Sequence, residues 1–152
     1  MIELVNIEKR FGNKRVLRNI NLNLQEGKVY GLFGPNGVGK TTLLKIMAGY
    51  NKKTSGEYKI NGLDFTYENK DHITFISDKE IFYGWMKIKD AVKYYKDFFT
   101  DFDEEKCLRL VKMMKLEADD KINVLSKGMK ARLKVALAIS RDAKLYLLDE
   151  PL

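Results

Sequence analysis

The sequence has a single cysteine and no long apolar run. Cys107 cannot form an internal disulfide, and the helical pattern around it indicates a small buried side chain. No apolar stretch approaches the roughly 20 residues needed to span a bilayer. The first residues, Met-Ile-Glu-Leu-Val-Asn, lack the pattern of a signal peptide. We therefore expect a soluble protein of a reducing compartment, by default the cytoplasm.

The sequence also lacks clusters of positive charge, although it is basic overall. Its 28 Lys and Arg against 21 Asp and Glu give a net charge of +7, which favours contact with nucleic acid, anionic lipid or nucleotide. Lys52-Lys53 is the only adjacent lysine pair, so a solvated surface accounts for most of these residues. With 152 residues, of which 45 % are hydrophobic and 32 % charged, the chain has the composition of one globular domain.

A glycine-rich loop stands between an apolar run and a helical pattern. Gly34, Gly39, Lys40 and Thr41 match the pattern Gly-x-x-x-x-Gly-Lys-Thr. Glycine allows successive backbone N–H groups to converge on an anion, and a helix starting near Gly39 adds about half a positive charge at its N-terminus. Lys40 would reach the β- and γ-phosphates, and the Thr41 hydroxyl would ligate Mg²⁺. The predicted nucleotide-binding residues are Gly34, Pro35, Asn36, Gly37, Val38, Gly39, Lys40, Thr41 and Thr42.

The loop has two other interpretations. One is a glycine-rich turn that only joins strand to helix, but the pattern arises by chance on the order of once per hundred or more chains of this length, so nucleotide binding is favoured. A dinucleotide fingerprint is disfavoured, because Thr42 stands at the position of its last glycine.

Strand patterns surround the loop. Alternating apolar residues predict strands from Ile2 to Glu8 and from Val16 to Leu24, joined through a turn at 11–13. The run Lys28 to Phe33 predicts a buried strand that leads into the loop, and Thr42 to Gly49 continues as a helix. Further strands are predicted at 57–60 and 72–76, with Asn61-Gly62 as a hairpin turn.

The second half of the chain shows helical periods. Two helices are predicted between Asp90 and Leu116, separated by a break at 100–103, with Asp103 as the N-cap of the second. A third helix is predicted from Lys127 to Arg141. The chain then returns to an apolar strand in the segment 144–152, which carries two carboxylates, Asp149 and Glu150.

Three motifs in this order resemble ATP-binding-cassette (ABC) ATPases, the nucleotide-binding subunits of ABC transporters. The loop 34–42 resembles the Walker A sequence of that family. Leu125-Ser126-Lys127-Gly128-Met129 resembles its Leu-Ser-Gly-Gly-Gln signature, and Leu145-Tyr146-Leu147-Leu148-Asp149-Glu150-Pro151 resembles its Walker B strand. The resemblance spans the whole chain.

The resemblance implies roles for the signature and Walker B residues. Ser126 and Gly128 would contact the γ-phosphate held by the opposite subunit of a head-to-tail dimer, whereas Lys127 and Met129 depart from the family's Gly and Gln. Asp149 would hold Mg²⁺, and Glu150 would act as the general base that orients the attacking water. A helix N-cap at Ser126 and a strand-end turn at 149–150 are the structural alternatives.

The resemblance implies three further assignments. Phe11 would stack on adenine with Val16 beside the base, unless Phe11 belongs to the hairpin core. Asp78 stands near the position where the family has a Gln that senses Mg²⁺, and its carboxylate oxygens can ligate Mg²⁺. The segment 81–86, Ile-Phe-Tyr-Gly-Trp-Met, would line a groove for the transmembrane partner, or pack between subdomains.

The expected fold is α/β: the ABC-type P-loop NTPase core of mixed sheet, with an antiparallel β subdomain and an inserted α-helical subdomain. Residues 1–84 and 143–152 would form the nucleotide-binding core, and 85–142 the helical subdomain. The family continues past Walker B with an Asp-containing loop and a His, so we expect the C-terminal part of the cassette to be missing, with weak or absent turnover.

The expected function is that of an ABC transporter ATP-binding subunit. It would bind ATP and Mg²⁺ and couple hydrolysis to a transmembrane permease, as a head-to-tail homo- or heterodimer on the inner face of the membrane. Nucleic acid is not an expected partner. The alternatives are a cassette ATPase associated with ribosomes or DNA, and an ATP-dependent dimerisation module without turnover.

Overall fold

The protein forms two compact units in the computed structural model, Met1–Lys70 and Asp71–Leu152, and the structure describes residues 1–77, 79 and 82–150. The first unit carries a four-stranded antiparallel sheet in the order β2-β1-β3-β4. Its strands are β1 (Ile2–Phe11), β2 (Lys14–Leu24), β3 (Ser55–Ile60) and β4 (Leu63–Asp64). The predicted strands of this half are confirmed, except for one discussed below.

A β-bulge explains the slip in the apolar alternation of β1. Ile2, Leu4 and Ile7 are all buried although Leu4 and Ile7 are three residues apart, and the pairing of β1 with β2 shifts between them. Asn6 takes a φ of 51° at the shift, and its N–H donates to Asn21 Oδ1 at 2.9 Å. The extra residue returns the apolar side chains of β1 to one face.

The predicted Asn61-Gly62 hairpin is also confirmed. Ile60 pairs with Leu63, and both turn residues have positive φ, 51° at Asn61 and 80° at Gly62. Two positive φ angles define the type I′ turn, whose twist matches that of two antiparallel strands.

Helix α1 (Lys40–Met47) follows the glycine-rich loop and buries Leu43, Ile46 and Met47. The Tyr58 hydroxyl on β3 donates to the Met47 carbonyl at 2.8 Å, and the Tyr58 ring stacks on Phe65 at 4.5 Å between centroids. Burial raises the pKa of Tyr58, so this phenol remains a donor. The bond ties the end of α1 to the sheet.

The predicted buried strand at 28–33 is wrong. These residues carry no strand or helix within the described part of the chain, Val29 is fully exposed and Phe33 is 91 % exposed. A strand needs a neighbour to pair its N–H and C=O groups, and each pairing of β1–β6 goes to another of these six strands. An apolar pattern by itself therefore did not suffice to form a strand here.

The second unit combines a parallel strand pair with a helical block. Strands β5 (Ile73–Ile76) and β6 (Leu145–Leu148) pair in parallel. The helices are α2 (Ile88–Phe98), α3 (Glu104–Met113) and α4 (Lys127–Ile139). Asp103 caps α3 as predicted, because its Oδ1 accepts from the Lys106 N–H at 2.8 Å.

The three helices of the second unit share one apolar cluster. Cys107 lies in this cluster with no exposed surface, and burial raises the pKa of its thiol to about 11, which confirms the buried interpretation. The cluster is completed by residues of all three helices and the segment before α4, namely Ile88, Ala91, Val92, Val111, Leu116, Ile122, Leu125, Leu133, Ala136 and Leu137.

Arg141 braces the end of this block. It is 6 % exposed, and its guanidinium donates to both carboxylate oxygens of Asp101 at 3.0 and 3.1 Å and to the Asp71 carbonyl. The same group lies 4.0 Å from the Phe99 ring centroid. A planar guanidinium can satisfy all of these contacts at once.

Among the described residues, no helix has the length and apolar character that crossing a membrane requires.

Candidate functional site

The loop before α1 has the backbone of an anion cradle. Gly37 has a φ of 79° and Gly39 a φ of 110°, values that residues other than glycine adopt only with strain. Gly39 is the N-cap of α1, and the first turn reads Lys-Thr-Thr-Leu. Because a glycine N-cap offers no side chain to the amides of the first turn, that helix end is suited to accept an external anion.

A close approach to β2 also requires glycine at position 39. A Cβ placed there would lie 2.7 Å from Leu17 Cδ2 and 3.2 Å from the Val16 carbonyl oxygen. The loop is thereby seated against the β1–β2 hairpin, and Val16 is a neighbour of Gly39, as expected if both contact one ligand.

Lys40 folds back over the loop. Its Nζ donates to the carbonyl oxygens of Gly34 at 2.7 Å and Pro35 at 3.0 Å. The ammonium group is therefore held beside the amides that would receive the phosphates. It needs only to exchange carbonyl acceptors for phosphate oxygens, which form stronger charge-assisted bonds.

Phe11 lies at the end of β1 and pairs with Lys14 across the hairpin turn. Its side chain is 49 % exposed, which argues against the hairpin-core interpretation. Val16 lies at a register shift of the β1–β2 pairing, between Arg15, which pairs with Arg10, and Leu17, which pairs with Lys9. Its carbonyl and side chain are the Val16 atoms that lie close to Gly39 of the glycine loop.

Two acidic side chains with different environments follow β6. Asp149 is 6 % exposed, and its N–H donates to the Ile76 carbonyl at 2.9 Å, which extends the ladder of the parallel pair. Glu150 is exposed and has a φ of 48°, an uncommon value for a residue other than glycine. Backbone strain of this kind clusters at functional sites.

The signature segment begins α4. Ser126 is its N-cap, and its Oγ accepts from the Met129 N–H at 3.2 Å. Lys127 and Gly128 are exposed, whereas the Met129 side chain packs against the helical cluster. A Cβ on Gly128 would meet nothing within 4 Å among the described residues, so packing within the chain does not explain this glycine.

The segment after β5 contains both buried and exposed side chains, so its residues divide between the expected packing role and the expected partner groove. Phe82 and Met86 pack against the helical cluster, whereas Tyr83 and Trp85 are 70 % and 71 % exposed and stack with centroids 5.9 Å apart. Asp78 and Ile81 lie outside the described residues.

The sequence patterns gave no signal for Lys134 or Lys9. Lys134 on α4 donates to the carbonyls of Ser77 at 3.1 Å and Lys79 at 2.6 Å, and so holds the chain on both sides of position 78. Lys9 contacts the Phe11 ring. Neither lysine belongs to a motif in the sequence. Only its contacts with a carbonyl or a ring in the folded chain distinguish each of them from a surface lysine.

The predicted site residues fall into two groups. Phe11, Val16 and the loop 34–42 belong to the first unit, and the signature and the Walker B acids belong to the second. The described residues hold no cluster of three or more His, Cys, Asp or Glu that would bind a metal ion without further ligands.

Comparisons with known proteins identify the family. The model of the ABC transporter family matches residues 17–152. The lantibiotic transport ATP-binding protein SrtF of Streptococcus pyogenes is 34 % identical over 99 % of this chain and 66 % of its own length. The spermidine/putrescine import ATP-binding protein PotA of Mesoplasma florum is 35 % identical over 100 % of this chain and 45 % of its own length.

Solved structures show the same fold. A putative ABC transporter ATP-binding protein from Pyrococcus furiosus superposes with a TM-score of 0.88 at 28 % identity, covering 99 % of this chain and 75 % of that one. An ATP-binding cassette solved as a dimer, in a post-hydrolysis state with ADP and Pi, superposes with a TM-score of 0.83 at 27 % identity. The match covers 99 % of this chain and 74 % of that one.

The chain spans 66 % of the length of SrtF and 45 % of that of PotA. The expected α/β fold of a P-loop NTPase is confirmed. The relatives named here carry transport descriptions, and the ribosome- or DNA-associated alternative is not favoured. On the extent of the family match, this chain belongs to the ABC transporter ATP-binding family.

Proposed function

We propose that this chain binds MgATP through the loop 34–42 and serves as the ATP-binding subunit of a transporter. The position of Lys40 carries the proposal, because its ammonium is bonded to the Gly34 and Pro35 carbonyls at the glycine-capped N-terminus of α1. A cation, a helix N-terminus and glycines of positive φ meet at one point, and each of these favours a polyphosphate.

The donor set fits Mg²⁺ chemically. Thr41 offers a hydroxyl and Asp149 a buried carboxylate, both hard oxygen ligands, and Asp78 remains a proposed third ligand. Since the described residues hold no three-acid cluster, phosphate and water oxygens would complete the coordination, as is usual for Mg²⁺ with nucleotides. When bound, Mg²⁺ neutralises charge on the phosphates.

Glu150 would orient the attacking water and accept its proton. It follows directly after the buried Asp149, so the β6 strand end fixes its backbone while its carboxylate remains exposed. The positive φ at Glu150 directs the chain out of the β6 line. Phosphoryl transfer depends mainly on positioning and charge neutralisation, so Lys40 and the signature residues would contribute alongside this base.

Ser126 and Gly128 would contact the γ-phosphate bound by a second subunit, in a head-to-tail dimer. The open space at Gly128 supports this, because a glycine that no internal contact requires leaves room for an external group. Lys127 is exposed beside it and adds a positive charge to the same surface. Met129 would act indirectly, since it anchors the start of α4 to the helical cluster.

The transmembrane partner would dock at the exposed pair Tyr83 and Trp85. Stacked aromatic side chains with about 70 % exposure supply the apolar surface that such an interface uses. The Lys134 contacts to the carbonyls of Ser77 and Lys79 would connect this region to α4 and the signature. We place the protein in the cytoplasm, peripheral to the membrane that holds the permease.

The first test is the affinity of the full chain for MgATP by calorimetry. We expect Lys40→Ala to bind about 10- to 100-fold more weakly, because charge-assisted hydrogen bonds to phosphate are lost. Lys45→Ala in the last turn of α1 is the matched control and should bind like the wild type. A folded Lys40→Ala variant with unchanged affinity would refute the proposed cradle.

Steady-state ATPase at saturating MgATP tests the assignment of Glu150. In the 152-residue chain we expect binding with slow turnover, because the matched residues make up at most 66 % of the named curated relatives. The residual turnover should disappear in Glu150→Gln while the affinity for ATP is kept. Rapid turnover that survives Glu150→Gln would exclude this base.

A further inference from the structure

Lys9 is held in place by two contacts near the candidate base platform. Its Nζ lies 4.5 Å from the Phe11 ring centroid and donates to the Lys52 carbonyl at 2.7 Å. Lys9 and Phe11 are two residues apart on β1, so their side chains share a face of the strand. The cation therefore lies over the ring, and Phe11 is 49 % exposed.

The Lys52 carbonyl that anchors Lys9 belongs to a well-bonded loop. The Thr54 N–H donates to the Glu8 carbonyl at 2.8 Å, and the Arg10 N–H donates to Thr54 Oγ1 at 2.9 Å. These bonds fix the loop against β1 on either side of Lys9. The acceptor of the Lys9 ammonium thus has a defined position relative to the ring.

The same loop continues from the phosphate-binding helix. The N–H groups of Tyr50 and Asn51 donate to the Lys45 carbonyl on α1, at 2.8 and 3.0 Å. A continuous run of bonds therefore leads from α1 through Lys52 and Lys9 to the Phe11 ring. It connects the residues proposed for the phosphates with the residue proposed for the base.

We infer that Lys9 is a positioning residue for nucleotide-base recognition, which holds the Phe11 ring so that a purine stacks on its exposed surface. This inference rests on the proposed nucleotide site. An exposed phenylalanine samples several rotamers, and fixing one before binding reduces the entropy that the ligand must overcome. The ammonium attracts the ring electrostatically and so supplies the fixation.

The test compares MgATP with magnesium tripolyphosphate as ligands of the full chain, by calorimetry. Lys9→Met keeps the length of the side chain but removes the charge and the bond to Lys52. We expect it to weaken MgATP binding about two- to fivefold, the range of an exposed cation–π contact, and to leave tripolyphosphate affinity unchanged. Lys9→Arg should restore the affinity for MgATP, because a guanidinium also lies over aromatic rings.

Lys53→Met is the matched control. The Lys53 ammonium donates to the Gly56 carbonyl at 2.6 Å from the same loop, so the variant loses an equal charge and a comparable bond away from the ring. It should bind both ligands like the wild type. Equal weakening of MgATP binding by Lys53→Met would overturn the inference, since loop stability or net charge would then explain the effect.

Phe11→Ala separates failure of the inference from failure of the proposed site. If Phe11→Ala weakens MgATP binding about tenfold or more, as loss of a stacked base predicts, while Lys9→Met has no effect, only the role of Lys9 is refuted. If Phe11→Ala has no effect, the base platform itself is refuted and the inference fails with it. If tripolyphosphate does not bind the wild type, the phosphate cradle is refuted.

Discussion

Two arginine ion pairs of the second unit differ in burial, and burial decides how much each pair contributes to the free energy of unfolding. Arg141 is 6 % exposed and pairs with Asp101 through two bonds, whereas Arg109 is an exposed residue 3.7 Å from Glu105 one helical turn away. The Asp101 side chain is 25 % exposed, so its carboxylate would keep part of its desolvation cost if it lost Arg141, whereas the exposed Glu105 is solvated by water.

We predict that Arg141→Met lowers the free energy of unfolding by about 3 kcal/mol. Arg109→Met removes the same charge and should cost less than about 0.5 kcal/mol. Urea denaturation followed by circular dichroism measures both. Losses of similar size in the two variants would contradict the role assigned to the Arg141 brace.

At the residue scale, the sequence predicted the caps better than the side-chain contacts. Asp103 and Ser126 cap α3 and α4 because a cap bond forms between residues three apart, so it is encoded locally. The packing of Met129 against the helical cluster and the bond from Lys9 to the Lys52 carbonyl join residues that are far apart in sequence. Such contacts depend on the assembled fold.

At the scale of elements, the bulge of β1 is secured by the partner strand. Gly56 on β3 has a φ of 93°, and a Cβ there would lie 2.4 Å from the Asn6 carbonyl oxygen. Since that neighbour is backbone inside a paired sheet, it cannot move without breaking ladder bonds. Gly62 has a similar φ of 80°, but a Cβ there would meet nothing within 4 Å among the described residues.

We therefore predict that Gly56→Ala lowers the free energy of unfolding by about 3 kcal/mol or more. Gly62→Ala has only the cost of the positive φ, so it should lower the free energy of unfolding by about 1 kcal/mol. The difference between the two variants, from urea denaturation, isolates the close approach to Asn6. If both variants lose the same amount, the φ angle alone explains the glycine at position 56.

The correct strand predictions differ from the wrong one in that each correct strand has a neighbouring strand to pair with. The patterns of β1, β3 and β6 led to strands because each has a neighbour in the described sheets. The equally apolar run at 28–33 has no partner among them and is irregular and exposed. Hydrophobic periodicity indicates which residues favour a strand, but the ladder requires a second strand.

At the scale of the whole molecule, the proposed dimer gives Gly128 a role that folding does not. The position is exposed and open, and glycine in a helix is less favourable than most residues. A substitution there should leave the fold intact while it blocks the approach of a second subunit.

We predict that Gly128→Asp melts within about 2 °C of the wild type, as expected of a surface substitution. The variant should bind MgATP but show no nucleotide-dependent dimer, because a carboxylate would face the partner's γ-phosphate. Crosslinking with and without MgATP measures the dimer. A variant that dimerises like the wild type would refute the proposed contact of the signature with a second nucleotide.

The sequence by itself determined which residues form the candidate site, because the glycine loop, the cap at Ser126 and the paired acids are each encoded by neighbouring residues. The domain boundaries at 84 and 143 remain a prediction. Only the tertiary structure decided that Gly39 abuts Val16, that Met129 is an anchor, that 28–33 is not a strand and that Lys9 is fixed on Phe11. These features depend on distant backbone and neighbouring strands, because packing and pairing are properties of the assembled chain.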